Sequence, residues 1–310
     1  MYDIIINPAS KSGKGAKIWN EVKKILDEKN IAYTEHISTA AGEVKTIVEK
    51  ISEDGEKHEV IILGGDGTFN EALQGVKDFE KLTFGYIPTG SSNDLARDLK
   101  ISSEPAKAVD AILYAKEAKI FDIGKLTYSD GTTRLYSVGC GVGFDAAVCA
   151  EAMNSKIKDL FNRIGLGKLT YLGIAIKEIF QSGKGSIKLE LLDKDGNLKK
   201  TLEYDRLIFN AAMVHRYEGG GFMFCPDATG EDGLLHLCTA ASISPLQVLK
   251  FMPSAFSGKH VTKTGIYIND CAKLKVSLSE PMWLHTDGEV TRKADLFTVE
   301  CVPSQLKLYV

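Results

Sequence analysis

The stretch Val60-Ile61-Ile62-Leu63-Gly64-Gly65-Asp66-Gly67-Thr68 decides how the chain is read. Its four leading residues are large and apolar with no polar face, as expected of a strand covered on both sides. The glycines that follow let the backbone turn sharply and let a ligand come close to it. Thr68–Val76 then predicts a helix, with Thr68 as its cap and Glu71 three residues later completing a capping box. Strand, glycine turn and helix start in this order make an anion site from backbone amides. Asp66 lies inside the turn, where its carboxylate would repel a bare phosphate, so Mg²⁺ or a water network is expected between them. A plain strand-to-helix turn would use the same residues, and glycine motifs alone do not separate the two.

Working outward, the first third of the chain alternates two periods. Tyr2–Asn7 reads as a buried strand. Lys14–Lys29 has Ile18, Val22, Ile25 and Leu26 at helical spacing. A strand falls within Ile31–Ile37, a helix over Glu43–Ile51, a strand over Phe84–Ile87 and a helix over Pro105–Ala115. This alternation predicts a three-layer α/β domain around a parallel sheet. After about residue 122 the rhythm becomes strand-rich: Leu135–Val138, Ile187–Leu192, Leu202–Tyr204, Leu207–Met213, Leu234–Cys238, Leu274–Leu278, Met282–His285 and Phe297–Val302. Turn signals such as Asp195-Gly196-Asn197 and Asp287-Gly288 separate many of them, and helices are expected over Lys168–Gln181 and Pro245–Phe256. The fold class expected is therefore α/β plus β, a parallel-sheet domain over residues 1–122 and a mainly antiparallel β-sandwich over 123–310. The extreme C-terminus is allowed to return to the first domain.

Composition bounds the function. The 310 residues are 44% hydrophobic and 25% charged, which suits a globular protein with a substantial core. A net charge of -3 provides no broad field for nucleic acid or an anionic membrane, so any phosphate or lipid site is local. The six cysteines are spread without a CxxC, which points to reduced cytoplasmic thiols rather than structural zinc or a disulfide framework. Ile4-Ile5-Ile6 is too short for a signal core and has no basic segment before it. Leu169–Phe180 is broken by Lys177 and Glu178 and is too short to span a bilayer, so no transmembrane segment is expected.

Two further segments belong beside the glycine turn. Pro88-Thr89-Gly90-Ser91-Ser92-Asn93-Asp94 follows the strand Phe84–Ile87, and ligands of open parallel sheets lie beyond strand C-termini. Its Ser and Asn residues are also ordinary helix caps. Asn7-Pro8-Ala9-Ser10-Lys11-Ser12-Gly13-Lys14 follows the first strand with hydroxyls, two lysines and a glycine. Neither GxxxxGK[ST] nor GxGxxG occurs, which sets aside the common P-loop and dinucleotide folds.

Taken together these motifs resemble the diacylglycerol kinase catalytic-domain family, which includes bacterial diacylglycerol and phosphatidylglycerol kinases and the sphingosine and ceramide kinases. Gly64–Thr68 with Asn70-Glu71, and Pro88–Asp94 with Leu95-Ala96-Arg97, carry the resemblance. Phe121–Lys125, Gly139–Asp145, Pro226-Asp227-Ala228 with Asp232-Gly233-Leu234, and Asp287-Gly288-Glu289 continue it in the family's order over nearly the whole chain. Ser91 stands where many members have Thr and keeps the hydroxyl.

The resemblance implies an ATP-dependent lipid kinase with its active site in the cleft between the domains. Asn7, Pro8, Ala9, Ser10, Lys11, Thr39, Gly64, Gly65, Asp66, Gly67, Thr68 and Ser91 match positions that line the ATP site. Asp66, Asp94 and Asp122 match acidic positions that organise catalytic Mg²⁺; three carboxylates beside a triphosphate need a cation in any case. Glu289 matches the general base that takes the proton of the attacking hydroxyl, although Asp-Gly followed by an acid is also a common hairpin turn. Thr229, Asp232 and Leu234 match a second, structural Mg²⁺ site. The implied partner is a lipid at the membrane surface, reached by a cytoplasmic or peripheral protein, with a homodimer allowed. Met153–Gln181, apolar with interspersed lysines, is either an element that contacts membrane or acyl chains or helices packed on the sandwich. Rival functions are a pyridine-nucleotide (NAD) kinase, which shares the GGDGT turn, and a non-catalytic nucleotide- or lipid-binding regulator.

Overall fold

The computed structural model describes residues 1–154 and 167–310, and divides them into two compact units. The first comprises Met1–Ile123 with Gly219–Gly221 and Pro303–Val310; the second comprises Gly124–Glu218 and Phe222–Val302. Within the expected membrane-contacting element Met153–Gln181, residues 155–166 lie outside the described residues.

In the first unit β1 (Tyr2–Ile6), β2 (Tyr33–Ile37), β3 (His58–Gly64) and β4 (Leu82–Pro88) form a parallel sheet in the order β2-β1-β3-β4. The short helix α1 (Ser10–Gly13) and α2 (Gly15–Glu28) follow β1, α3 (Glu43–Ile51) follows β2, and α4 (Asp66–Leu73) follows β3. After β4 come α5 (Asp94–Asp98), α6 (Pro105–Tyr114) and the strand β5 (Lys119–Tyr128). The Ile and Val runs of β1 and β3 are buried because helices cover both faces of the sheet. On one face Trp19, Val22 and Leu26 of α2 pack with Val109 and Ile112 of α6 against Ile4, Ile6, Ile61 and Leu63. Phe69 of α4 meets the rings of Phe84 and Tyr86, at centroid distances of 5.8 and 5.1 Å. Each such side chain contributes about 1.5–3 kcal/mol by leaving water.

The order of connection reverses between β1, whose chain leaves towards β2, and β3 on its other side. The crevice beyond their C-termini is therefore the switch point at which open α/β sheets bind ligands.

The second unit is antiparallel throughout its pairings. It contains β6 (Thr133–Tyr136), β7 (Gly139–Gly143), α7 (Phe144–Asn154), α8 (Gly167–Gln181), β8 (Ile187–Leu192), β9 (Leu198–Tyr204) and β10 (Leu207–Met213). The short strands β11 (Tyr217–Glu218) and β12 (Phe222–Met223), β13 (Leu235–Ala241), α9 (Pro245–Ala255), β14 (Ile266–Cys271), β15 (Lys273–Thr286) and β16 (Glu289–Leu308), whose end from Pro303 onward belongs to the first unit, complete it. The start of β15 pairs with β8 and its end with β7, so one strand serves two parts of the sandwich around a core that includes Leu189, Leu237, Val276 and Phe297.

Some elements differ from the sequence reading. Leu274–Leu278 and Met282–His285 are one strand, with a register shift between Ser277 and Met282 where Pro281 lacks an amide proton. Phe297–Val302 is the middle of a 20-residue strand. β5, β7, α7 and β14 were not expected. Three glycines weaken the strand signal of β7, and α7 buries small alanines, Ala146, Ala150 and Ala152, which give little apolar period. Among the described residues no helix is long and apolar enough to cross a membrane.

Candidate active site

Three loops are stitched together at the switch point of the first unit. Asn7, just past β1, donates from its side-chain amide to the Thr68 hydroxyl at 2.9 Å and accepts the Ala9 amide on its own oxygen at 3.1 Å. The hydroxyls of Ser10 and Thr89 lie 2.7 Å apart, and the Thr89 amide donates to the Gly64 carbonyl at 2.7 Å. The two glycine turns touch through bare backbone, since a Cβ on Gly65 would stand 2.9 Å from the Cα of Gly90. The Asn7–Lys11, Gly64–Thr68 and Pro88–Asp94 segments therefore converge, as their positions after β1, β3 and β4 require.

Thr68 does something other than expected. α4 begins two residues earlier, at Asp66, with Gly65 in the cap position and no side-chain cap. Thr68 is buried within the first turn and receives Asn7, while Glu71 accepts the Val44 amide at the start of α3 at 3.0 Å. The capping box is not formed, because the Thr68 hydroxyl is taken by Asn7 and the Glu71 carboxylate by the Val44 amide. Thr39 is joined to Glu43 rather than to the three loops, although its neighbour Ser38 bonds the Ile6 carbonyl at the end of β1. Ser91 is exposed at the tip of its loop.

Asp66 and Asp94 are tied to each other through a backbone amide, and Asp122 is held by a separate one. Asp66 accepts the amide of Asp94 at 3.1 Å, and Asp94 accepts the amide of Gly220 at 2.8 Å. Arg97 lies 3.7 Å from the other oxygen of Asp94. Asp122, 2% exposed on β5, accepts the Ser304 amide at 2.8 Å. Asp66, Asp94 and Asp122 each offer the oxygen donors that Mg²⁺ prefers, but among the described residues no three His, Cys, Asp or Glu side chains gather where they could hold a metal ion. Sequence reasoning assigned no role to Gly220, Arg97 or Ser304. The run Gly219-Gly220-Gly221 was a visible signal: all three have positive φ, of 67, 86 and 109°, which side chains resist.

In the second unit Asp287 and Gly288 form a two-residue hairpin turn with φ of 50 and 82°, and Glu289 opens β16 directly after it. The Asp287 carboxylate is an anchor. It accepts the amides of Ser137, Val138 and Gly139 at 2.9, 2.8 and 3.1 Å and the Ser137 hydroxyl at 3.1 Å. Behind the turn lies His285, 2% exposed, whose Nε2 is 3.1 Å from Asp145 and whose Nδ1 is 3.4 Å from Glu218. Burial alone would lower its pKa, but Glu218, Asp145 and Asp287 raise it to about 9.

In the loop after β12, Asp232 accepts the Leu234 amide at 3.0 Å and pairs with His236 at 2.9 Å. The Lys194 ammonium donates to the Asp232 carbonyl at 2.7 Å. Gly230 fits there with φ of 70° against the buried ring of His215, where a Cβ would come within 2.5 Å. The Asp232 carboxylate is thus engaged by the Leu234 amide and His236, and it offers oxygen, the donor that Mg²⁺ prefers.

A parallel-sheet unit with glycine turns and carboxylates at its switch point, followed in the chain by an antiparallel sandwich unit, is the two-domain architecture of the lipid-kinase family. The chain belongs to the diacylglycerol kinase family: residues 2–126 match the diacylglycerol kinase catalytic domain, and residues 139–310 match the YegS C-terminal NAD kinase beta sandwich-like domain. It is 26% identical over 293 residues to a diacylglycerol kinase of Staphylococcus carnosus, covering 92% of this chain and 87% of that protein. A diacylglycerol kinase of Bacillus subtilis is likewise 26% identical over 288 residues, covering 92% and 88%. A crystal structure of a Bacillus anthracis protein has the same fold, with a TM-score of 0.75 at 18% identity over 99% of this chain and 96% of that one.

Proposed function

We propose that the protein transfers the γ-phosphoryl group of MgATP to a primary hydroxyl of a lipid such as diacylglycerol. The observation that carries this is the hydrogen-bonded line Gly220–Asp94–Asp66, set among the three loops that meet at the switch point. In this proposal Asn7 to Lys11, Thr39, Gly64 to Thr68 and Ser91 line the nucleotide, with loop and helix amides directed at its phosphates. Asp66, Asp94 and Asp122 hold Mg²⁺, which when bound neutralises the charge of the phosphoryl groups. The Gly220 and Asp94 amides hold two of these carboxylates in fixed directions, so little reorganisation accompanies the reaction. Glu289 accepts the proton of the attacking hydroxyl, and it follows directly a two-residue turn anchored by Asp287. Thr229, Asp232 and Leu234 hold a second Mg²⁺ with a structural role. The protein works from the cytoplasmic side and meets its lipid at the membrane surface.

The test is transfer of labelled phosphoryl from ATP to dispersed diacylglycerol, phosphatidylglycerol, monoacylglycerol and a sphingoid base, with and without Mg²⁺, beside NAD as acceptor. Mg²⁺-dependent labelling of one lipid is expected. Labelling of NAD alone would replace this function by pyridine-nucleotide phosphorylation, and ATP binding with no acceptor labelled would leave a non-catalytic regulator.

A further inference from the structure

The second unit buries a set of charges that general-base chemistry does not itself require. His285 is enclosed near the end of β15, between Asp145 at the start of α7 and Glu218 on β11. The packing is close enough to dictate a glycine on β7. A Cβ on Gly141 would lie 2.0 Å from Oδ2 of Asp145 and 2.2 Å from Nε2 of His285. The remaining charged and titratable groups around the ring are Asp287 on the turn, the Cys140 thiol of β7 and Arg134 of β6. Arg134 donates to the Thr286 hydroxyl at 3.1 Å.

The two groups that face Nδ1 of this ring call for opposite protonation states. Nε2 faces a carboxylate, so it carries a proton. The Gly288 amide points at Nδ1 from 3.1 Å, and it can be accepted only if Nδ1 has a lone pair. Glu218 stands 3.4 Å from the same Nδ1, and it can be bonded only if Nδ1 carries a proton. Gly288 is the turn residue directly before Glu289.

We infer that His285 is a positioning residue for the turn that carries Glu289, its Nδ1 holding either the Gly288 amide or the Glu218 carboxylate but never both. The neutral ring, with its tautomer fixed by Asp145, ties the turn down. The imidazolium swings its hydrogen bond to Glu218 and releases the Gly288 amide. The residue touches no reacting atom and acts through the turn. Its catalytic consequence rests on the role proposed for Glu289.

The experiment follows the Gly288 amide and the His285 ring nitrogens by nitrogen-15 NMR in the full-length protein, from neutral pH to above the ring's pKa of about 9. Turnover of MgATP and lipid is measured over the same range. The Gly288 amide should titrate with the ring, and kcat should rise as the ring loses its proton while KM for ATP stays constant. Glu218→Gln removes a charge that favours the imidazolium, so both the amide titration and the rise in kcat should move to lower pH. His285→Asn keeps an acceptor near the Nδ1 position but does not titrate, so it should flatten the rise. A Gly288 amide that ignores the ring's titration, or a rise in kcat that E218Q does not move, overturns the inference. If the wild-type protein phosphorylates no lipid at any pH, the proposed function fails, and the amide titration, read without substrate, still decides whether His285 holds the turn.

Discussion

Gly65 and Gly90 stand back to back: a Cβ built on Gly90 would lie 2.6 Å from the Cα of Gly65. Two loops that follow different strands share a boundary with room for backbone alone. Gly90→Ala should push the Gly64–Thr68 turn out of place. Misplacement of about 1 Å in such a site can cost about 10²-fold in rate. We expect kcat/KM for ATP to fall on that scale and the stabilisation of the protein by MgATP to shrink, as read by thermal melts. An unchanged response to MgATP would show that this boundary does not shape the nucleotide site.

Glu289→Gln should leave the fold and ATP affinity close to those of the wild type, because the side chain opens β16 at a partly exposed position. Removing a general base lowers turnover by about 10²–10⁴-fold. Single-turnover transfer to the lipid, measured beside ATP binding, separates the two effects. Near-normal transfer in this variant would remove Glu289 from the mechanism.

Gly220→Ala tests the line that holds Asp94. The nearest atom to an added Cβ is the Ser92 hydroxyl at 3.5 Å, an ordinary contact, so the cost comes from the backbone at φ of 86°. That cost is about 1–2 kcal/mol. If the loop relaxes to a negative φ, the 2.8 Å bond from its amide to Asp94 is lost and activity should fall further than stability does. Equal losses in chemical denaturation and in kcat/KM would reduce the loop to a scaffold.

The buried imidazole also predicts a dependence of stability on pH. The pKa of His285 is raised in the folded protein from 6.5 to about 9. Its stabilising contribution is therefore fully present below pH 6.5 and is lost as pH climbs through about 9. The shift corresponds to about 3 kcal/mol at most. The melting temperature should decline over this interval, and less steeply in E218Q, where a source of the shift is gone. A flat profile in the wild-type protein would mean that the ring stays neutral throughout.

Chelation probes the loop around Asp232. EDTA should lower the melting temperature of the wild-type protein, and Mg²⁺ should restore it. Asp232→Ala should melt lower from the outset and respond to neither. A wild-type protein indifferent to EDTA would assign the loop's order to His236 and Lys194, which bond Asp232 directly.

Much of the first unit was legible from sequence because its signals are local. Ile4-Ile5-Ile6 and Val60–Leu63 announce buried parallel strands, and Glu43–Ile51 was read with its actual bounds. The turn motifs were legible for the same reason, since each is set by a few adjacent residues. What escaped depends on partners far along the chain. Thr68 was read as a cap because its neighbours fit the capping pattern, but its hydroxyl is claimed by Asn7, 61 positions away. β7 hides behind three glycines, and the justification of Gly141, the Asp145–His285 pair, lies on a helix and another strand. Glu218 and His285 are unremarkable in sequence; only folding puts a carboxylate at each nitrogen of the ring.

The last eight residues have a consequence for how the protein is made. Tyr309 bonds both the Phe84 carbonyl and the Glu59 side chain, Leu308 registers against Phe84 of β4, and the Ser304 amide caps Asp122. The parallel-sheet unit thus borrows its final pieces from residues 303–310. During synthesis it stays unfinished until residues 303–310 have left the ribosome. A gene fragment ending near residue 122 would yield a sheet lacking its outermost support.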